Sequence, residues 1–420
     1  MKSPDADARL FGWLALAAAW LIVAWSPFTG GPRAPSLVLA LFGAWHLYAQ
    51  RAALWQIESV RRWALVFLLL WVPILLSLPD SLDARRSINT AAILPAYFLA
   101  GIGMLVALQN AGRRERLRVW LAVLLVVWIA DGFVQYLFGR DLLGLPLMPD
   151  GRVTGVFGDS LRLSWFVALL LPLLLADPRA RPVAIGASLV LAAAILEILI
   201  GTRGALLSVM LVAVGWLARQ ALAARIGVVV LLAAAIVAGT VLSPLSAERL
   251  GRLQLLATPS FENLDNILSG RMTIWQTATN MLAAHPLNGV GSGAFAAAYD
   301  RYSTLPGDMF KSGGTYQGGP THAHQMYISI AAETGLIGLA GIIGIVTLCS
   351  VWYYRASHAS RQRAWPWGLG LVAIAFPVQS QPVLFTHWWF PVMLLAFCAL
   401  LAELDDKPPS RNPPNLAPQP

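Results

Sequence analysis

Tyr316-Gln317-Gly318-Gly319-Pro320-Thr321-His322-Ala323-His324-Gln325-Met326-Tyr327-Ile328-Ser329-Ile330-Ala331-Ala332-Glu333-Thr334-Gly335-Leu336-Ile337-Gly338-Leu339 runs without a gap from a polar, glycine-rich loop into a long apolar helix. A change of solvent from water to lipid is written into it, and His324 stands at the border. Two of the chain's six histidines, His322 and His324, fall within three residues here. An imidazole titrates near neutrality, and such a border can tune it.

Outward from this stretch the chain reads as all-α and membrane-embedded. It is 57% hydrophobic and 12% charged, where a soluble domain is about a quarter charged. Apolar segments able, or nearly able, to span a bilayer core of about 30 Å have approximate cores at Leu10–Trp25, Pro35–Ala49, Trp63–Leu78, Ile88–Leu108, Leu117–Leu137, Leu161–Ala176, Pro182–Ile200, Gly204–Ala218, Ile226–Leu242, Gln325–Tyr353, Trp365–Gln379 and Trp388–Leu401. That gives about 12 transmembrane helices, with the second, eighth and last short. The first has no clear small-residue cleavage site and reads as a retained helix. The expected organisation is residues 1–242 as spans 1–9, 243–324 as a partly helical outer loop, 325–404 as spans 10–12, and 405–420 as a disordered Pro- and Asn-rich tail.

Arginine sets the orientation. The loops after spans 2, 4, 6, 8 and 10 hold Arg51, Arg61 and Arg62; Arg113, Arg114, Arg116 and Arg118; Arg179 and Arg181; Arg219 and Arg225; Arg355, Arg361 and Arg363. The alternate short loops hold fewer: Arg33, Arg85, Arg86, Arg140, Arg152, Arg162 and Arg203. The positive-inside bias therefore puts both termini in the cytoplasm and the 243–324 loop outside. The net charge of +9 is accounted for by orientation and anionic membrane lipids, so no nucleic-acid partner is expected. Cys349 and Cys398 lie in apolar runs, which argues against a disulfide framework or thiolate metal site.

Two arginines outside the bias point to an anion. Arg203 sits in the tight turn Gly201-Thr202-Arg203-Gly204 between apolar runs. An arginine so close to lipid costs a few kcal/mol unless it snorkels or meets an anion, and flanking glycines leave room for a bulky headgroup. A snorkelling helix terminus is the alternative. Arg271 opens the amphipathic run Arg271–Ala284, whose stripe is Ile274, Trp275, Ala278, Met281 and Leu282. A cation there opposes the helix dipole, and a bound phosphate would reverse that penalty; a solvated surface arginine is the alternative. The run from Gly289 through Gly291 to Gly293 is a candidate phosphate nest or a plain loop. His324 reads as a general base or positioner, as a cap residue, or with His322 as half of an H-x-H metal pair. No third ligand has matching spacing, and His285 or Asp308 would serve only by folding back. Glu333, nine residues on, would lie about 13 Å deeper in a straight helix and is expected to satisfy polar groups in the bundle. Two cations and an imidazole at a membrane border suit a lipid diphosphate leaving group and an incoming hydroxyl.

Gly201-Thr202-Arg203-Gly204-Ala205-Leu206-Leu207, Gly270-Arg271 with Trp275, His285-Pro286-Leu287-Asn288-Gly289-Val290-Gly291, and His324-Gln325-Met326-Tyr327-Ile328 with Glu333-Thr334-Gly335-Leu336-Ile337-Gly338 follow in that order. The sequence thereby resembles the bacterial O-antigen ligase family, in the superfamily of O-antigen polymerases and protein O-oligosaccharyltransferases. The resemblance covers spans 7–10 and the outer loop. It implies a GT-C-like, polytopic, inverting glycosyltransferase of the inner membrane with a periplasmic active site, needing no metal or other cofactor. The implied donor is a polysaccharide on undecaprenyl diphosphate and the implied acceptor a sugar hydroxyl of lipid A–core. By the same implication His324 activates the acceptor, and Arg203 and Arg271 hold the diphosphate. His322, Gln325, Gly289 and Gly291 are supporting candidates; Gln325 stands where the family often has Asn, and keeps the amide. The motifs do not separate ligase from polymerase or protein glycosylase. The compact chain favours ligase. A lipid-diphosphate transporter would need polar groups through the bundle, and the spans offer few beyond Glu197, Glu333 and Gln379.

Overall fold

The apolar segments fold as helices where their ends can be capped. The computed structural model describes residues 4–176, 182–222, 225–230, 233, 237, 254–258, 260–312, 319–377 and 384–405. Among these the chain is helix and loop, with one isolated bridge between Arg140 and Pro146. In order the helices are α1 (Pro4–Ala24), α2 (Arg33–Ala49), α3 (Arg51–Leu54), α4 (Glu58–Leu76), α5 (Ala84–Ala107), α6 (Ala111–Phe138), α7 (Leu163–Leu174), α8 (Val183–Ile200) and α9 (Arg203–Leu217). Then come α10 (Phe261–Ile267), α11 (Arg271–Ala284), α12 (Phe295–Tyr302), α13 (Met326–Arg355), α14 (His358–Ala375) and α15 (Phe390–Glu403). Asp83 and Asn110 start α5 and α6 by accepting from the amides of Arg86 and Arg113, each at 3.1 Å, as N-cap residues do.

Every predicted apolar segment but the ninth falls on one of these helices. Most of the ninth, Ile226–Leu242, lies outside the described residues, as does the tail from residue 406. Helices α4, α5, α6, α8 and α13 are long and apolar enough to cross a membrane, while α7, α9 and α15 are shorter apolar helices. Leu41, Trp45, Val123, Val127, Ile343 and Val346 stand exposed on the helix surfaces. That much outward apolar surface requires lipid rather than water as solvent, and the protein is a membrane protein. Cys349 and Cys398 are free thiols.

Close packing relies on small residues, as expected where lipid offers no hydrophobic contrast. A methyl group on Gly43 would run into the Leu99 carbonyl, and one on Gly103 into that of Leu39, so α2 and α5 touch backbone to backbone. At one end of the bundle Glu403 joins Arg114 and Arg363, each at 3.1 Å, tying α6, α14 and α15. The opposite end carries a separate layer with its own core of Ile274, Ala278, Met281, Phe295, Tyr299, Ala323 and Ala332. The apolar stripe read from α11 is what builds it.

The layer is bolted to the bundle through a break in α13. Gly335 takes φ 64 and ψ −163, far from helical values and in the region that favours glycine. The amides of Leu336 and Ile337, which would bond to Ala332 and Glu333 in an unbroken helix, bond instead to the carbonyls of Pro286 and Leu287 at 2.8 and 3.2 Å. The freed carbonyls of Ala332 and Glu333 take the amides of Val290 and Gly291 at 2.9 and 3.0 Å. The loop 286–291 thus replaces a missing helical turn, bond for bond.

Candidate functional site

Arg203 is placed by the turn between α8 and α9. Gly201 ends α8 in the left-handed conformation, φ 82, and Thr202 then leads into α9. The Thr202 hydroxyl donates to Glu197 Oε2 at 3.0 Å and shares a hydrogen bond with the Ser164 hydroxyl of α7. Glu197 is 1% exposed, so three polar groups from three elements lock the turn. Thr202→Val, which keeps the shape and removes the hydroxyl, is expected to lower stability by about 1–3 kcal/mol, read as a fall in unfolding temperature in detergent. An unchanged transition would show that the lock contributes nothing.

The exposed Arg203 guanidinium reaches across to the outer layer and donates to the Ile267 carbonyl at 3.1 Å, at the end of α10. Ser269 and Gly270 follow, both left-handed at φ 58 and 80, and turn the chain back into α11 at Arg271. Asp265 fixes that turn: its carbonyl accepts from Gly270 N at 2.8 Å, and its carboxylate from the amide and hydroxyl of Thr273 at 3.1 and 2.6 Å. A side chain on Gly270 would meet the Phe310 ring. Arg271 is therefore held half-buried beside Arg203. Burial first and the Arg203 charge second lower its pKa from the ordinary arginine value.

His324 is positioned from both sides. It adopts φ 53, a left-handed conformation unusual for a residue with a side chain. Ala323 before it receives Trp275 Nε1 of α11 at 2.9 Å and donates to Ser329 Oγ at 3.1 Å. Gln325 after it caps α13, its Oε1 accepting from Ile328 N at 2.7 Å while Nε2 donates to the Pro377 carbonyl at 2.8 Å. The imidazole rings of His322 and His324 lie 4.1 Å apart, with His322 Nδ1 and Thr321 Oγ1 at 2.9 Å. Burial and then the Arg271 charge push the His324 pKa below 6.5; burial and then His324 push that of His322 to about 3. Both rings are neutral at pH 7, so each has a nitrogen able to accept a proton.

The structure thus brings Arg203, Arg271, His324 and His322 into one electrostatic neighbourhood. Gln325 adjoins His324 in the chain. The backbone amides of the glycine run are engaged within the protein: Gly289 N bonds to the His285 carbonyl, Gly291 N to that of Glu333, and Gly293 N to Glu333 Oε2, all at 3.0 Å. The Gly291 and Gly293 amides thus join the loop to α13, while the Gly289 amide closes a turn after α11. The Gln325 amide caps α13 and donates to Pro377. Glu333, 8% exposed, accepts from Gly293 of the loop rather than from a polar group of the bundle. His285 Nε2 pairs with Tyr302 at 2.8 Å, and the Asp308 carboxylate accepts from Tyr299 and Ser303, so neither folds back toward His324. Asp265 and the Glu197–Thr202–Ser164 set were not read from the sequence. An acid within an apolar span is a signal in itself, and Glu197 carried it.

No curated protein matches the chain. Residues 187–343 match the family model described as O-antigen ligase. That stretch runs from α8 to the far side of the break in α13 and holds Arg203, Arg271 and His324, so over this part the chain is similar to the O-antigen ligase family.

Proposed function

We propose that the protein is an inverting glycosyltransferase of GT-C-like architecture, an O-antigen ligase in its reaction, working at the periplasmic face of the inner membrane. It moves a polysaccharide from undecaprenyl diphosphate to a sugar hydroxyl of lipid A–core. The observation that carries this reading is the meeting of a neutral His324 with Arg271 and Arg203 where the outer layer joins the bundle.

In this reading the acceptor hydroxyl gives its proton to the His324 imidazole as its oxygen bonds to the anomeric carbon. The bond from that carbon to the diphosphate oxygen breaks on the opposite face, which inverts the configuration. Charge grows on the leaving diphosphate, and the two guanidiniums meet it with fixed donors already in place. Because that charge is neutralised by arginine, the reaction asks for no metal ion. The proton ends on His324 and passes to water after product leaves.

The test is reconstitution of the purified protein with a lipid-diphosphate glycan in EDTA, offering lipid A–core, a second donor lipid and a peptide as competing acceptors. Glycan appearing on lipid A–core is the expected result. Transfer to the second donor would make it a polymerase, and transfer to peptide a protein glycosylase. Flipping of donor without any transfer would refute the enzyme. In the same assay Arg271→Ala is expected to weaken donor binding about tenfold to a hundredfold, the value of a charge-assisted contact. Arg271→Lys should recover only part, since an ammonium lacks the two-pronged guanidinium geometry. Donor affinity unchanged in Arg271→Ala would remove that residue from the site.

A further inference from the structure

A second group of cations sits at the same end of the bundle, outside the reaction just described. Arg33 begins α2, Arg162 precedes α7, and His387 and Trp388 precede α15. The Arg162 guanidinium lies over the Trp388 ring, 4.6 Å from its centre. Arg33 and Arg162 both act on the exposed His387, adding to burial in lowering its pKa below 6.5. The two arginines and the histidine therefore share one neighbourhood, assembled from three separate elements.

Among the described residues their charge is only partly balanced. At the other end Arg114 and Arg363 pair with Glu403, Arg62 with Glu58, and Arg118 with Glu115. Among the described residues neither Arg33 nor Arg162 has a carboxylate at ion-pair distance. The exposed Asp159 acts on Arg162 from farther away. Like charges gathered without a counter-charge are costly, and an anion relieves the cost. Positive-inside bias does not call for arginine at this end.

The surroundings say what kind of anion. Trp25 and Phe28, on the turn that leads to Arg33, are 44% and 57% exposed, and Trp388 is half-buried beside Arg162. Aromatic side chains in this position mark the level of lipid headgroups. Arginine suits phosphate because its fork matches two phosphate oxygens. The charge acting on Arg271 is Arg203, and that acting on His324 is Arg271; Arg162, two residues before Ser164, flanks the Arg203 turn.

We propose that Arg33 and Arg162, with Trp388 beneath the guanidinium, form a second anion site that takes the phosphate of a membrane lipid headgroup. The site is independent of the transfer reaction, and its test reads lipid binding alone. Purified full-length protein in a neutral detergent is titrated with phosphatidic acid, phosphatidylcholine or inorganic phosphate, and bound lipid is counted by native mass spectrometry. Phosphatidic acid is expected to bind well ahead of phosphatidylcholine, and inorganic phosphate not to displace it at equal concentration. The double variant R33Q/R162Q should lose about tenfold or more in phosphatidic acid affinity, the value of one charge-assisted contact. Equal binding of the two lipids, full competition by inorganic phosphate, or unchanged affinity in R33Q/R162Q would each overturn the site. Should the double variant fold poorly, the single variant R162Q and the wild-type lipid preference decide the matter.

Discussion

His324→Ala lowers the transfer rate about 10²- to 10⁴-fold, the usual contribution of a positioned general base, while the protein inserts and unfolds as the wild type does. The second half of that expectation rests on the local structure. The neighbours of His324 carry the bonds to α11, α13 and α14, and its own ring carries none of them. Replacing the ring also relieves a side chain held at φ 53 only in part, since alanine is strained there too. The pH profile separates a base from a bystander. In the free enzyme burial and Arg271 hold the imidazole below 6.5, so the midpoint of the acid limb of kcat/KM lies below 6.5. A bound donor diphosphate neutralises Arg271 and draws the imidazole pKa upward. The kcat profile therefore falls at a higher pH than the kcat/KM profile. A kcat/KM limb at or above 6.5 would mean that burial and Arg271 do not depress His324, and near-normal transfer by His324→Ala would end its role.

Most of the bundle was legible in the sequence because apolar runs of spanning length have few other ways to fold. The stripe on α11 was legible for the same reason: Ile274, Ala278 and Met281 repeat at helical spacing and are all buried. The position of His324 could be read from composition, as polar loop gave way to apolar helix at that residue. What hydropathy does not carry is a break inside an apolar helix. Thr334-Gly335-Leu336 reads as ordinary span, and Gly335 as a small residue for helix contact. Its left-handed turn exists because the loop 286–291, roughly forty-five residues earlier in the chain, supplies the displaced bonds. For the same reason the Gly289–Gly293 run looked like a ligand cradle: free backbone amides in sequence and amides promised to a distant helix are indistinguishable until the partner is placed. Arg203 and Arg271 were each ambiguous alone. Their meeting depends on the Asp265 turn and the reach to Ile267, neither of which has a local signature.

Gly289→Ala and Gly335→Ala are expected to detach the outer layer from the bundle. Both glycines are left-handed, at φ 67 and 64, but strain is the smaller part of the effect. A methyl group on Gly289 would strike the backbone joining Glu333 to Thr334, and one on Gly335 the Leu287 carbonyl; neither neighbour is a side chain that can swing away. If the loop moves aside, the carbonyls of Ala332 and Glu333 and the amides of Leu336 and Ile337 lose their partners. Each unsatisfied buried group costs about 1–3 kcal/mol, so two or more would rival the stability of a whole domain. Should α13 instead straighten and recover its own bonds, the loop's half of the exchange is left bare and Glu333 loses the Gly293 amide. Gly139→Ala is the control, because Gly139 is left-handed at φ 75 with nothing within 4 Å of an added methyl. It isolates conformational strain at about 1–2 kcal/mol. Hydrogen exchange should then show the 286–291 amides opening in the two layer variants and not in the control. Transfer should fall with them, since Trp275 and Ala323 hold His324 through that same layer. Equal protection and equal unfolding temperature across all three variants would mean that the exchanged backbone bonds do not join the two parts.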